Sequence, residues 1–168
     1  DRNSWATPIK YLHSVRQVMG NIELDPASHK QANKNVRATA YYTAEDNGLE
    51  QHWKAKTLFL NPPYSKDLIG KFMTKVIEHY VAGDINQAIV LTNNCPDTAW
   101  FDNTLAVHGS AFCFPSKRIQ FIAPKGVRAS SNSRGQVFTY LGNNPRAFIA
   151  EFSQYGLTVK PVKCKQQV

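Results

Sequence analysis

Thr57-Leu58-Phe59-Leu60-Asn61-Pro62-Pro63-Tyr64 sets a short apolar run directly against an amide, two prolines and an aromatic ring. The run reads as a buried strand. Proline has no N–H and a fixed φ, so the ladder cannot continue past Leu60. The chain must leave the sheet as a stiff, extended turn that points carbonyl oxygens and side chains beyond the strand end. A Pro-Pro turn followed by a core tyrosine would be the plain explanation. The full order of buried strand, amide, two prolines and aromatic favours a binding turn, because ligands of open α/β sheets sit outside the carboxyl ends of strands.

The flanking sequence supports such a sheet. Thr7-Pro8 opens a helical pattern with Ile9, Leu12, Val15 and Val18/Met19 on one face and Gly20 as its stop. A short strand, Ile22 to Leu24, is closed by Asp25-Pro26. His29 to Arg37 is a short helix or a loop, Ala40 to Thr43 a second strand, and Glu45 to Leu49 a turn ahead of Trp53. Leu68, Phe72, Val76 and Tyr80 mark a helix, Gln87 to Thr92 a buried strand, and Thr98 to Leu105 a further helix. Strands are expected at Ala111 to Phe114, Ile119 to Ile122 and Gln136 to Leu141, then a helix from Pro145 to Tyr155 and a strand-like Leu157 to Val162. Strands alternate with helices early and crowd together late. The expectation is an α/β fold with a mixed, mostly parallel sheet, helices on both faces and an antiparallel C-terminal edge.

A chain of 168 residues, 42% hydrophobic, is long enough for one domain with a real core, and residues 1 to 168 are read as that domain. Its apolar runs are too short to cross a membrane as a helix, and no signal-peptide pattern opens it. The start at Asp1 rather than Met fits a processed product or a piece of something longer. The three cysteines, Cys95, Cys113 and Cys164, are scattered and odd in number, as expected of free thiols in a reducing cytoplasm. Neither they nor the five histidines show metal-ligand spacing, so no metal is expected. His79 and Cys95 are assigned to structure. The net charge of +8 favours a polyanionic partner. Lys117, Arg118, Lys125, Arg128 and Arg134 fall in a stretch without a single acid between Asp102 and Glu151.

At Asn61 to Tyr64, an amide oxygen and a proline carbonyl lie side by side. Together they can accept both hydrogens of an exocyclic amine, orienting it and raising electron density on its nitrogen. Tyr64 offers a flat face for a heterocyclic base and a π-surface for a cation such as a methylsulfonium.

Asn-Pro-Pro-Tyr after a hydrophobic strand resembles the catalytic motif of S-adenosylmethionine-dependent amino-methyltransferases. Ser4-Trp5-Ala6-Thr7-Pro8, Leu24-Asp25-Pro26-Ala27-Ser28, Tyr41-Tyr42-Thr43, Glu45-Asp46-Asn47-Gly48-Leu49 and Trp53 precede it, and Lys117-Arg118-Ile119-Gln120-Phe121 follows it. This order is similar to the phage-type DNA N6-adenine methyltransferases, over residues 4 to 141. The resemblance implies a Rossmann-like methyltransferase fold, S-adenosyl-L-methionine as cofactor, DNA as partner and work in the cytoplasm of a bacterial host. It also implies site roles. Asn61, Pro62, Pro63 and Tyr64 form the catalytic turn, with Asn61 and Pro62 on the adenine amine and Tyr64 stacked on a flipped base. Trp5, Thr7 and Pro8 close over the cofactor. Asp25 ends the first strand at the cofactor turn, Pro26, Ala27 and Ser28 approach the methionine part of the cofactor, Asp46 or Asn47 its ribose or adenine, and Asn61 also borders it. Ser65, Lys117, Arg118, Lys125, Arg128 and Arg134 are expected on DNA. Two departures stand out: no Gly-x-Gly follows Asp25, and Asn47 stands where an acid is expected.

Each assignment has a structural counterpart. Asp25 could serve an Asx turn, Trp5 the core, Arg118 the solvated surface, and Asn93-Asn94 either a turn or the site wall. The functional alternatives are another planar amine as substrate (an RNA base, cytosine N4 or a protein glutamine) and a catalytically silent nucleic-acid-binding module.

Overall fold

The computed structural model describes residues 5–125 and 132–162. Ser4, Arg128 and Cys164 therefore lie outside the described residues.

Among the described residues, seven strands form one sheet in the order β2-β1-β3-β4-β6-β5-β7. The chain runs α1 (Ile9–Met19), β1 (Leu24–Asp25), α2 (Lys30–Val36), β2 (Ala40–Tyr41), β3 (Ala55–Leu60), α3 (Lys66–Val81) and β4 (Ile85–Asn93). A π-helical turn (Phe101–Leu105), α4 (Ala106–His108), β5 (Ala111–Pro115), β6 (Gln136–Leu141), α5 (Pro145–Phe152) and β7 (Gly156–Val159) follow. The β2–β1, β1–β3 and β3–β4 pairs are parallel, whereas β4–β6, β6–β5 and β5–β7 are antiparallel. The early alternation thus builds a parallel half and the late crowding an antiparallel edge, as in a Rossmann-like methyltransferase sheet.

Period-two alternation divides the core between the two faces. From β3 and β4, Leu58, Leu60, Ala88 and Val90 face the cluster under α3, with Trp53, Phe72, Met73 and Val76. Phe59, Ile89 and Leu91 face the other cluster, where Leu12 and Val15 of α1 meet Phe138, Tyr140, Phe148 and Phe152. Helices cover both faces because β3 and β4 are apolar on both, which is the signature of central parallel strands.

The helix stop at Gly20 is real: its φ is 84°, and its N–H donates to the Arg16 carbonyl. His29 to Arg37 resolves to α2, with the His29 ring capping it by accepting from the Ala32 N–H. The strand expected at Ile119 to Ile122 does not form. Ile119 is fully buried, Ile122 is 43% exposed, and among the described residues the segment makes one β-bridge, the antiparallel Ala6–Ile122 pair. Both edges of β5 are already taken, by β6 and β7, and Pro124 blocks extension. Pro161 likewise follows the early end of β7 at Val159.

Candidate active site

A cavity of about 1010 Å³ opens beyond the carboxyl ends of β1, β3 and β4. The topology makes it, since the parallel strands stop together at Asp25, Leu60 and Asn93 and turn away. A smaller hollow of about 580 Å³ runs along α3 from Asp67 to Glu78 and contains none of the expected site residues.

Asn61 is the first residue after β3, and its amide is held from both ends. Its Nδ2 donates to Thr7 Oγ1 at 3.2 Å, and its Oδ1 accepts from the Tyr64 hydroxyl at 2.7 Å. The Tyr64 hydroxyl also reaches the Leu91 carbonyl, at 3.2 Å. Burial pushes the Tyr64 phenol well above its ordinary range, so it remains a protonated donor. Thr7 is buried and follows Ala6, whose N–H and C=O both pair with Ile122, at 3.0 and 2.8 Å. The amide oxygen of Asn61 keeps one lone pair free of Tyr64. Among the described residues, none of the loop main-chain hydrogen bonds ends on the Pro62 carbonyl.

On the β1 side, Asp25 is 3% exposed, and burial raises its carboxyl to about 7. The Ala27 N–H, at 3.3 Å from Oδ1, pulls it partly back. The Ser28 hydroxyl also pulls in that direction, although its geometry completes no hydrogen bond. Ser28 Oγ and His29 Nε2 are buried, unpartnered and on residues that line the cavity. Because His29 Nδ1 accepts from Ala32, a neutral ring carries its hydrogen on Nε2. Close approach, expected of glycines after Asp25, occurs from the opposite side. At Gly48 a Cβ would lie 2.1 Å from the Pro26 carbonyl oxygen, so only glycine lets the 45–49 turn fold onto Pro26. Asn47, at φ 50°, sits beside it on the cavity wall.

The structure therefore brings Trp5, Thr7, Asp25, Pro26, Ala27, Asn47, Asn61, Pro62, Pro63, Tyr64, Ser65 and Arg134 to one cavity. It leaves others off the wall. Pro8 is the N-cap residue of α1. Asp46 turns outward, its carboxylate accepting from the Thr43 N–H and hydroxyl, bonds that hold its pKa low. Between Asp46 and Asn47, only Asn47 reaches the cavity. Lys117, Arg118 and Lys125 are exposed and do not line it. Arg118 nonetheless lies over Gly135, where a Cβ would meet its Nη1 at 2.6 Å.

Asn93, read from the sequence as a turn or the site wall, lines the cavity, but sequence reasoning missed the amide chain it belongs to. Asn132 Nδ2 donates to Gln136 Oε1 at 2.7 Å, and Gln136 Nε2 donates to Asn93 Oδ1 at 3.1 Å. The signal was faint: a buried glutamine opening a strand. His29 was missed too, since a histidine in a polar stretch carries no mark of burial.

The family profile described as DNA N-6-adenine-methyltransferase (Dam) matches residues 1–160. A DNA N-6-adenine-methyltransferase of Haemophilus phage HP1 is 28% identical over 139 residues, covering 82% of this chain and 77% of its own length. Another protein of that description, from Escherichia phage T1, is 29% identical over 153 residues, covering 81% of this chain and 61% of its own. The profile match spans both the Asp25 turn and the Asn61 turn, which line the same cavity. The chain belongs to the DNA N-6-adenine-methyltransferase (Dam) family.

Proposed function

We propose that the chain, acting as a single methyltransferase domain, moves a methyl group from S-adenosyl-L-methionine to N6 of an adenine flipped out of DNA. The observation that carries this reading is the fixed Asn61 amide lining the same cavity as the buried Asp25 carboxyl. S-adenosyl-L-methionine supplies, when bound, a methyl group activated by a positively charged sulfur.

The residues present fit that cofactor. Asp25, buried and half-neutral near pH 7, gains from a cationic neighbour such as the α-ammonium of the methionine part. The unpartnered Ser28 Oγ and His29 Nε2 offer donors to a carboxylate beside it. Trp5 and Asn47 complete the wall around the nucleoside. The cavity volume is at the top of the range for small-molecule sites, leaving room for a base beside the cofactor.

The chain's own chemistry is positioning and hydrogen-bond acceptance. Thr7 and Tyr64 fix which end of the Asn61 amide faces the substrate. The remaining lone pair of Oδ1 and the Pro62 carbonyl take the two amine hydrogens and draw the nitrogen lone pair out of ring conjugation. The Tyr64 ring stacks the base. A paired adenine cannot present its amine, so the base must leave the duplex. Lys117, Arg118, Lys125 and Arg134 are exposed, Arg134 on the cavity wall, and their positive charge suits a phosphate backbone; work in the cytoplasm of a phage host fits the same reading.

The test is tritiated-methyl transfer from S-adenosyl-L-methionine to separate DNA, RNA and protein pools, followed by nucleoside digestion and mass spectrometry. The expected product is N6-methyladenine from DNA. N4-methylcytosine as the dominant product of paired DNA, or label confined to RNA or protein, would overturn the adenine assignment.

A further inference from the structure

At the opposite end of the sheet, His52, His79 and Asp84 converge. They come from three separate places: the segment before β3, the last turn of α3 and the turn into β4. Asp84 Oδ2 lies 3.0 Å from His79 Nδ1 and 3.6 Å from His52 Nε2. All three ligand atoms lie within 4.8 Å of one another. Among the described residues this is the one such group of histidine, cysteine or acidic side chains. It is far from the cavity. Ala55 pairs with Ile85 at this end, and Asn61 follows the other end of β3, about 20 Å away at ~3.3 Å per strand residue.

We infer that His52, His79 and Asp84 form a structural site for a borderline transition-metal ion, zinc above all. Tetrahedral zinc with bonds of about 2.0–2.1 Å holds neighbouring ligand atoms about 3.3 Å apart. The 3.0 and 3.6 Å separations bracket that spacing. The third separation, His52 to His79, is no more than 4.8 Å, and His52 is exposed enough to adjust it. His79 is already oriented, its ring lying against Trp53 with centroids 6.0 Å apart and against His52 at 4.9 Å. Two neutral imidazoles and one carboxylate carry a single negative charge, which suits a divalent cation and leaves its fourth position to water. Hydrogen bonding gives Asp84 one imidazole partner, His79, and leaves the approach of His52 Nε2 to 3.6 Å of the same oxygen without a role. A bound ion uses it, tying the segment before β3 to the α3–β4 turn.

The experiment is titration of the chelator-treated full chain with zinc chloride, by calorimetry and by thermal melting, with cobalt(II) as a coordination probe. One equivalent of zinc should bind, the melting temperature should rise, and cobalt should show the intense visible bands of tetrahedral coordination. His52→Ala, a surface change that leaves folding intact, should weaken zinc binding at least tenfold and abolish the cobalt bands. Asp84→Asn should do the same. Absence of stoichiometric binding to the unaltered chain overturns the inference. So does binding that survives His52→Ala and Asp84→Asn unchanged, since another site would then hold the ion.

Discussion

The parallel and antiparallel halves of the sheet end their strands in different ways. β1, β3 and β4 stop at Asp25, Leu60 and Asn93 and hand over to polar or proline-bearing turns that border a cavity. β6 and β5 are instead backed by a run of aromatic contacts. Tyr140 stacks on Phe148 at 5.5 Å between centroids, Phe148 on Phe152 at 4.4 Å, and Phe138 meets both Phe152 and Tyr11, at 5.0 and 5.4 Å. The first half leaves a carboxyl and three further polar atoms, Ser28 Oγ, His29 Nε2 and Thr92 Oγ1, buried without adequate partners, against Thr139 Oγ1 in the second, which costs stability. The second half gains it through dense apolar burial. Buried polar groups thus gather at the ends of the parallel strands and aromatic packing behind the antiparallel ones, although β3 and β4 share in both core clusters, and substitutions should separate the two.

The largest effect expected is on stability. Phe148→Ala in the antiparallel half should cost about 3–5 kcal/mol. Denaturant melts should show it, while methyl transfer per folded molecule stays near that of the parent. Loss of transfer without a shifted midpoint would break the comparison. Next comes Asn61→Ala in the parallel half. Transfer should fall about 10²–10³-fold, the scale for removing one positioned hydrogen-bonding group at a reacting centre. The denaturation midpoint and cofactor affinity should change little. Tyr64→Phe should keep more activity than Tyr64→Ala, because the ring remains while only its tie to Asn61 is lost.

Asp25→Asn sharpens the contrast by moving stability and binding in opposite directions. The folded carboxyl titrates near 7 against 3.8 unexposed to the fold's burial, so the folded state holds the extra proton between those values. Stability is then lost as pH rises through that window. The amide removes the penalty and should raise stability at pH 8 by a few kcal/mol, with a flatter pH dependence. S-adenosyl-L-methionine affinity, by calorimetry, should drop about tenfold. For the parent chain that affinity should climb between pH 5.5 and 7.5 as Asp25 ionises. The smallest effect belongs to the exposed rim: Arg118→Ala should flatten the slope of log DNA affinity against log salt by about 0.9. An unchanged slope would put the DNA on another face.

The central strands were legible because β3 and β4 are apolar on both faces, a pattern that few other structures share. The Asn61 turn was legible because proline chemistry forbids the alternatives. Long helices such as α3 announced themselves by period. The short edge was harder, since β1 and β2 hold two residues each and take their pairing from neighbours rather than from their own sequence. Ile119 to Ile122 misled because its apolar residues serve three places: Ile119 the core, Phe121 the cavity and Ile122 the surface. Asp46 and Asn47 could not be told apart locally, because a turn decides which side chain looks inward. The Asn132–Gln136–Asn93 chain and the His52–His79–Asp84 group are products of tertiary contact, and no spacing rule reaches them.

The bridge between Ala6 and Ile122 has a thermodynamic consequence. It fastens the segment that follows Arg118 to the residue before Thr7, and Thr7 holds the Asn61 amide. Two ligands that each displace or tighten this short path cannot bind independently. If nucleic acid on the Arg118 side draws Ile122 inward and strengthens the hold on Trp5, Thr7 and their ligand, that ligand must strengthen nucleic-acid binding by the same factor. A ternary cycle measured from either direction has to close on one coupling free energy, and two backbone hydrogen bonds, at 3.0 and 2.8 Å, are where it would be set.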